Sequence, residues 1–276
     1  LRFQPPSAAI KGWRKFWACS APAMTSLLII NPNTSADLSA LLLEHAQATA
    51  PPGAQAAVCT ARFGARYISG EVAAVIASHA ALDAWAVHVA QHGMPRAVLL
   101  ACFGDPGLFA LRALAPVPVL GLAQASMQSV SSYGRFVIVT GGAAWAPMLV
   151  RLAHALGLSG ALAGVHTVPQ SGGTLAADPE QAVPILRQAV AEALTQWPDA
   201  RAVLLGGAGL AGFSTAVGRG MTVPVLDSVG LALQAAWSAS RVPASEDARP
   251  IEAGPWQGLS PELAALLGAA DRVSAP

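Results

Sequence analysis

Five residues, Arg96-Ala-Val-Leu-Leu, recur unchanged as Arg201-Ala-Val-Leu-Leu, 105 residues further along (96 to 201). Each copy runs into a glycine-containing turn, and each is followed by Val-Pro-Val-Leu, at 117–120 and again at 223–226. Self-similarity of this kind means that the chain builds one supersecondary unit twice. Eight short apolar runs fit the same plan: 27–31, 55–60, 96–101, 117–121, 135–140, 160–168, 201–206 and 223–227. Longer Ala-rich stretches of helical spacing, such as 71–92 and 180–196, lie between them. Short apolar runs bounded by turn residues read as strands, and their alternation with helices reads as parallel sheets covered on both faces. The expectation is an α/β fold of two pseudo-symmetric lobes, each a four-stranded parallel sheet flanked by helices, with the active site in the cleft between them.

The repeat sets the expected boundaries. Residues 24–121 form lobe 1 and residues 122–227 lobe 2, with a helix at about 228–239 returning to lobe 1. Residues 1–23 hold both lysines of the chain, Lys11 and Lys15, and lack periodicity, so they read as an extension outside the fold. A signal peptide needs an apolar stretch of about 7–15 residues that this segment lacks. Residues 240–276 read as a looser C-terminal extension in which Ser260-Pro-Glu caps a short helix over Leu263–Leu267.

Composition removes several function classes. The chain is 54% hydrophobic and 11% charged, with a formal charge of +1 and no cluster of basic and aromatic residues, so nucleic-acid binding has no support. No run reaches about 18 uninterrupted apolar residues, which argues against a membrane span. With both lysines in the extension, a Schiff base from a core lysine to pyridoxal phosphate is excluded. Cys19, Cys59 and Cys102 form neither a disulfide framework nor a metal-ligand spacing, which suits a reduced, cytoplasmic setting. The expected partner is a small-molecule substrate, with self-association of the chain left open.

In open α/β sheets, ligands bind beyond the carboxyl ends of the strands. Four polar or glycine-rich stretches follow strands: Asn31-Pro-Asn-Thr-Ser, Cys102-Phe-Gly-Asp-Pro-Gly, Thr140-Gly-Gly and Gly206-Gly-Ala-Gly. Cys102 is the reactive candidate, because Asp105-Pro106 reads as the N-cap and first residue of the next helix. A thiol beside a helix N-terminus is biased towards thiolate. The plain alternative is a small buried apolar residue, which is the common fate of a free cysteine. Cys59, within a strand, and Cys19, in the extension, read that way.

The segments Ile30-Asn-Pro-Asn-Thr-Ser, Ala101-Cys-Phe-Gly-Asp-Pro-Gly-Leu, Phe136-Val-Ile-Val-Thr and Pro224-Val-Leu-Asp resemble the hydantoin racemase branch of the aspartate/glutamate racemase superfamily, in order, over about 27–237. The resemblance implies two facing lobes and one cysteine from each beside the substrate's α-carbon. One thiolate removes the α-proton and the opposite thiol returns a proton to the other face. Backbone amides and the Asn/Thr loops hold the negative oxygens of the planar intermediate, and no cofactor is needed. The second cysteine of that pattern belongs in the turn after the seventh strand, where this chain has Gly206-Gly207-Ala208-Gly209-Leu210. The repeat gives the same alignment, since Cys102 and Gly207 each lie six residues beyond the repeated arginine.

Three functional readings follow. The first is a cofactor-independent racemase or isomerase on an amino acid, a hydantoin or a related small α-substituted carboxylate, with water or another group as the second acid. The second is one-sided chemistry by a single cysteine, such as a decarboxylase or lyase. The third is a small-molecule binding protein on the same scaffold. The expected substrate contacts are Asn31, Asn33, Phe103, Gly104, Thr140, Gly141, Ala208 and Gly209, with no metal. Asn31 and Asn33 also read as a turn capping the next helix through Thr34 or Ser35, and Thr140-Gly141 as simple helix entry. Asp105 and Asp227 read as caps that can also face the cleft and orient a site group, and capping alone is the plainer account of Asp105. Of the histidines, only His166, in the sixth strand, is a candidate substitute proton donor; His45, His79, His88, His92 and His154 read as packing or surface residues. Trp85, Trp145 and Trp237 read as packing. Gly207, Gly209 and Gly212 match the glycine spacing of a dinucleotide loop and Asp227 lies 20 residues beyond Gly207, but this turn follows the seventh strand and its repeat partner is the Cys102 loop, which argues against nucleotide binding.

Overall fold

The computed structural model describes residues 26–242 and 255–271, so the expected extension at 1–23 lies outside the described residues. The eight strands are β1 (Leu27–Asn31), β2 (Ala56–Thr60), β3 (Ala97–Leu100), β4 (Val119–Gly121), β5 (Phe136–Gly141), β6 (Leu162–Val168), β7 (Ala202–Gly206) and β8 (Val225–Asp227). They form two parallel four-stranded sheets, in the orders β2-β1-β3-β4 and β6-β5-β7-β8. The α/β class and the paired sheets agree with the sequence expectation, and the second sheet repeats the strand order of the first.

The central strands are the apolar runs Leu-Leu-Ile-Ile, Ala-Val-Leu-Leu, Phe-Val-Ile-Val and Ala-Val-Leu-Leu, and every residue in them is buried. A strand alternates its side chains between two faces. Leu27, Ile29, Ala97 and Leu99 accordingly join Phe136, Ile138, Ala202 and Leu204 in one core shared by both sheets. Leu28, Ile30, Val98 and Leu100 point the other way, into a core with α2 (Glu71–His92) and α3 (Leu108–Leu114). Val137, Val139, Val203 and Leu205 do the same against α7 (Pro179–Gln196). Between these helices in chain order lie α1 (Ala36–Ala48), α4 (Leu122–Val130), α5 (Trp145–Ala155) and α6 (Gly172–Ala177).

The helices that follow the fourth and eighth strands join the two halves. Helix α4 packs on β7, while α9 (Ser228–Ala239), preceded by α8 (Ser214–Gly218), packs on β3, α1 and α4. Their buried faces, with Leu122, Met127 and Val130 on one and Val229, Leu233 and Trp237 on the other, fill the shared core. Each helix thus rests on the strand that leads into the Cys102 turn or the Gly207 turn.

Two of three expectations need correction here. Ser260 does cap the final helix, its Oγ accepting from Leu263 N–H, but α10 runs over Pro261–Asp271. Leu263 is buried in the outer core of the first sheet, and Glu262 joins Arg62 and Asp83 in a salt-bridge cluster, so this segment of the chain is tied to the fold. Second, α2 is, among the described residues, the one helix long and apolar enough to cross a membrane by length and composition, although no uninterrupted apolar run marked it. Half of that span is buried, with Ala80, Ala81, Ala84 and Trp85 packed against the sheet, as in a core helix. Third, Asp105 does not cap the helix that follows it. Helix α3 starts at Leu108 behind Gly107, whose left-handed backbone makes the turn.

Candidate active site

The Cys102 turn is fixed by its own backbone. Gly104 and Asp105 N–H both donate to Cys102 O, at 2.9 and 3.0 Å, and Asp105 adopts φ +49°, the left-handed region that a non-glycine residue seldom enters. The Asp105 side chain holds it there. Its carboxylate accepts from Ala123 N–H at 2.9 Å and from Gln124 N–H at 2.7 Å, capping α4 rather than α3. Gly121 makes room, because a Cβ on it would overlap the carboxyl group. Arg112, on α3, donates to Val119 O and Gln124 Oε1, tying the same corner together.

Cys102 is only 8% exposed, and its side chain belongs to the core shared by both sheets. Burial pushes its thiol well above the usual range, and the neighbouring Asp105 pushes it further. Burial and the Asp105 carboxyl both oppose the thiolate bias expected from a helix N-terminus. Burial also pushes the Asp105 carboxyl up to about 7, against the opposing effect of the amide donors and Arg112. The site holds a neutral thiol whose conjugate base, once formed, is a strong one.

Two aromatic rings close the cleft reciprocally. Phe103, the residue after Cys102, lies on Gly206 at the end of β7, and a Cβ on Gly206 would overlap the ring. Trp145, at the start of α5, lies on Gly104 in the same way. The Cys102 turn of the first sheet is thus held face to face with the carboxyl ends of β5 and β7. Phe103 and Gly104 were expected near the substrate; Trp145 was not.

Across the cleft, Thr140 Oγ1 donates to Gly206 O at 2.6 Å, and Gly207 N–H donates to Ser228 Oγ at 3.1 Å. Gly207 has φ +135°, and a Cβ there would find Leu210 at 3.8 Å and Thr140 Oγ1 at 3.9 Å, which is ordinary contact. Gly141 and Gly209 are hemmed in by the backbone of 170–172; a Cβ on Gly209 would come within 2.6 Å of Gly172 O. Beside them, Gln170 Oε1 is buried without a partner among the described residues. Ala208 is buried in the shared core.

The Asn31 and Asn33 side chains divide. Asn31 is fully buried and spends its amide locally, donating to Ser35 O and Ser39 Oγ and accepting from Asn33 N–H. That arrangement is a structural turn with Ser35 as the cap of α1, and it commits both hydrogens of the Asn31 amide locally. Asn33 Oδ1 accepts from Ser35 N–H, while its Nδ2 has no partner among the described residues. His166 is also removed from the candidates: it faces α7, where Nε2 pairs with Glu192 at 3.3 Å. Asp227 caps α9 through Val229 N–H and accepts from Gly212 N–H. Among the described residues no group of histidine, cysteine and carboxylate side chains is arranged to hold a metal ion.

The profile of the Asp/Glu/hydantoin racemase family matches residues 27–236, which spans both sheets and every turn of this cleft. The chain belongs to that family. It is an isomerase of the racemase type acting on small molecules. A hydantoin racemase from Paenarthrobacter aurescens is 30% identical over 214 residues, covering 77% of this chain and 89% of the relative. An allantoin racemase from Klebsiella pneumoniae superposes with a TM-score of 0.74 at 29% identity, over 87% of this chain and 98% of that one. A glycine-to-cysteine, cysteine-to-serine double mutant of arylmalonate decarboxylase shares the fold alone, with a TM-score of 0.60, 16% identity and coverage of 78% and 92%.

Several residues of the racemase cleft carried no sequence signal. Ser228 is an ordinary serine at the start of a helix. Tyr67, whose hydroxyl borders Gly142, lies in a loop that no local pattern marks. Trp145 sits in an apolar run that reads as core.

Proposed function

We propose that the chain racemises a small α-substituted carbonyl compound of the hydantoin or amino-acid type, with Cys102 exchanging a proton with the α-carbon on one face. The relatives named hydantoin and allantoin racemase support the cyclic ureide class. The observation that carries the reading is the buried Cys102 turn, clamped by Phe103 and Trp145 against the ends of β5 and β7. A proton leaves the α-carbon, the bonding pair moves onto the adjacent carbonyl oxygen, and a proton returns on the opposite face. A thiol made less acid by burial is, as thiolate, better matched to a weak carbon acid. No organic cofactor takes part in this reading.

The opposite face belongs to Gly207, which stands where the family's second cysteine is expected and offers no side chain. The second proton then passes through water or through a hydroxyl that borders Gly207, that of Thr140 or Ser228. A second reading, one-sided chemistry such as decarboxylation with protonation by Cys102 alone, draws on the same glycine.

Loss of optical rotation from single enantiomers of hydantoins and amino acids tests the proposal. The wild-type protein is expected to racemise at least one hydantoin, and Cys102→Ser to be inert. Gly207→Cys has the space for a thiol but a strained backbone. It should raise the rate several-fold if the missing thiol limits turnover. Wild-type protein inert on every compound, but releasing carbon dioxide from malonate-type acids, would replace racemisation with the one-sided reading.

A further inference from the structure

We infer that Tyr67 and Trp145 form a polar pair at the mouth of the cleft that receives a carbonyl or carboxylate oxygen of the ligand and so sets specificity. The inference rests on the racemase reading of the cleft for its substrate class, and on separate atoms for its geometry.

The pair is assembled from both halves of the fold. Tyr67 comes from the loop between β2 and α2, which crosses the Asn31–Thr34 turn, where Thr34 N–H donates to Ala65 O at 3.1 Å. Trp145 starts α5 in the other half. Its six-membered ring rests on Gly104 in the Cys102 turn, and its pyrrole edge faces Gly142. The point where a Cβ would project from Gly142 lies 3.6 Å from Tyr67 Oη and 3.9 Å from Trp145 Nε1. Two polar groups from opposite halves therefore converge on one spot. That spot is kept open by a glycine at φ +89°, in the left-handed region where a side chain is disfavoured.

Neither group has a hydrogen-bond partner among the described residues. Trp145 is only 6% exposed, so its N–H sits at the edge of a protein wall, and the indole has only a donor to offer. Tyr67 is 38% exposed and can donate from the same side. Two donor groups bordering one place, neither bonded to an acceptor among the described residues, suit an acceptor oxygen on a ligand. The same indole covers Gly104 in the Cys102 turn, which links the spot to the loop that carries the reacting thiol.

The test compares wild-type protein with Tyr67→Phe, which keeps the ring and removes the hydroxyl, and with Trp145→Phe, which removes the N–H and also shortens the ring that covers Gly104. Binding of a 5-substituted hydantoin is read by isothermal titration calorimetry, and turnover by loss of optical rotation. Tyr67→Phe should keep its melting temperature, Trp145→Phe should lose some stability with the shortened ring, and each should weaken binding about three- to tenfold, the scale of one neutral hydrogen bond. KM should rise by the same factor while kcat changes less. Variants that bind as tightly as wild type, or that lose kcat with KM unchanged, would overturn the assignment. A wild-type protein that binds hydantoin without racemising it would sink the racemase reading alone, since the binding comparison still decides the pair. A wild-type protein that binds no hydantoin, amino acid or allantoin-like ureide would overturn the pair as well.

Discussion

The ring of Phe103 lies directly on the α-carbon of Gly206, so that the residue after the reactive cysteine seals against the residue before Gly207. The repeat places the Cys102 and Gly207 turns at matching ends of β3 and β7, and the fold brings the two turns into contact through this pair. Substitution Gly206→Ala would drive a methyl group into the ring. Overpacking of this kind costs about 1–3 kcal/mol, and the ring can yield only by moving Cys102. Thermal unfolding should show the loss of stability, and turnover should fall at least tenfold in the folded fraction. Pairing Gly206→Ala with Phe103→Leu should restore part of both; no recovery in the pair would mean that the alanine acts elsewhere.

Asp105 links the chemistry to the stability of the fold. Its carboxyl is raised to about 7 by burial, against opposing amide donors and Arg112. An acid with a raised folded-state pKa holds its proton in the folded chain where the unfolded chain has released it. Its contribution is therefore fully present below about pH 4, near the unfolded value. It is lost as pH rises through 7. Urea unfolding of wild-type protein and Asp105→Asn at pH 5 and pH 8 should show the wild type losing more stability over that interval. Equal losses in the two proteins would show that Asp105 is already ionised at pH 5.

Cys102 should react as a thiol rather than a thiolate. Iodoacetamide labelling, located by mass spectrometry, should be slow at pH 7.5 and still rising above pH 9, since burial and Asp105 both raise the group. Removing the nearby charge in Asp105→Asn should shift the labelling profile to lower pH. A wild-type profile with a midpoint below 8 would mean that the ligand-free cleft already stabilises the thiolate.

The sheets were legible because their central strands are apolar on both faces and the pattern occurs twice; β1, β5 and β7 lie within a residue or two of the runs read from sequence. Asp105 reads from sequence as the cap of the next helix, but it accepts the amides at the start of α4, 18 residues beyond it at Ala123. Local sequence shows a cap but not which helix it serves. Asn31 looked like a ligand donor because its turn is polar, but Ser35 and Ser39 take both hydrogens of its amide. Trp145 and Tyr67 were missed for a related reason: their positions are set by the meeting of the two halves.

Hydrogen–deuterium exchange at the substrate α-carbon in heavy water tests the central claim about Cys102 most directly. With a single enantiomer of a 5-substituted hydantoin, wild-type protein should introduce one deuterium at the α-carbon as the opposite enantiomer appears. The substitution Cys102→Ser should slow that exchange by a factor of about a hundred or more, the scale of a lost acid–base group, while leaving the fold and binding intact. Exchange that proceeds as fast without the thiol as with it would contradict the assignment of Cys102.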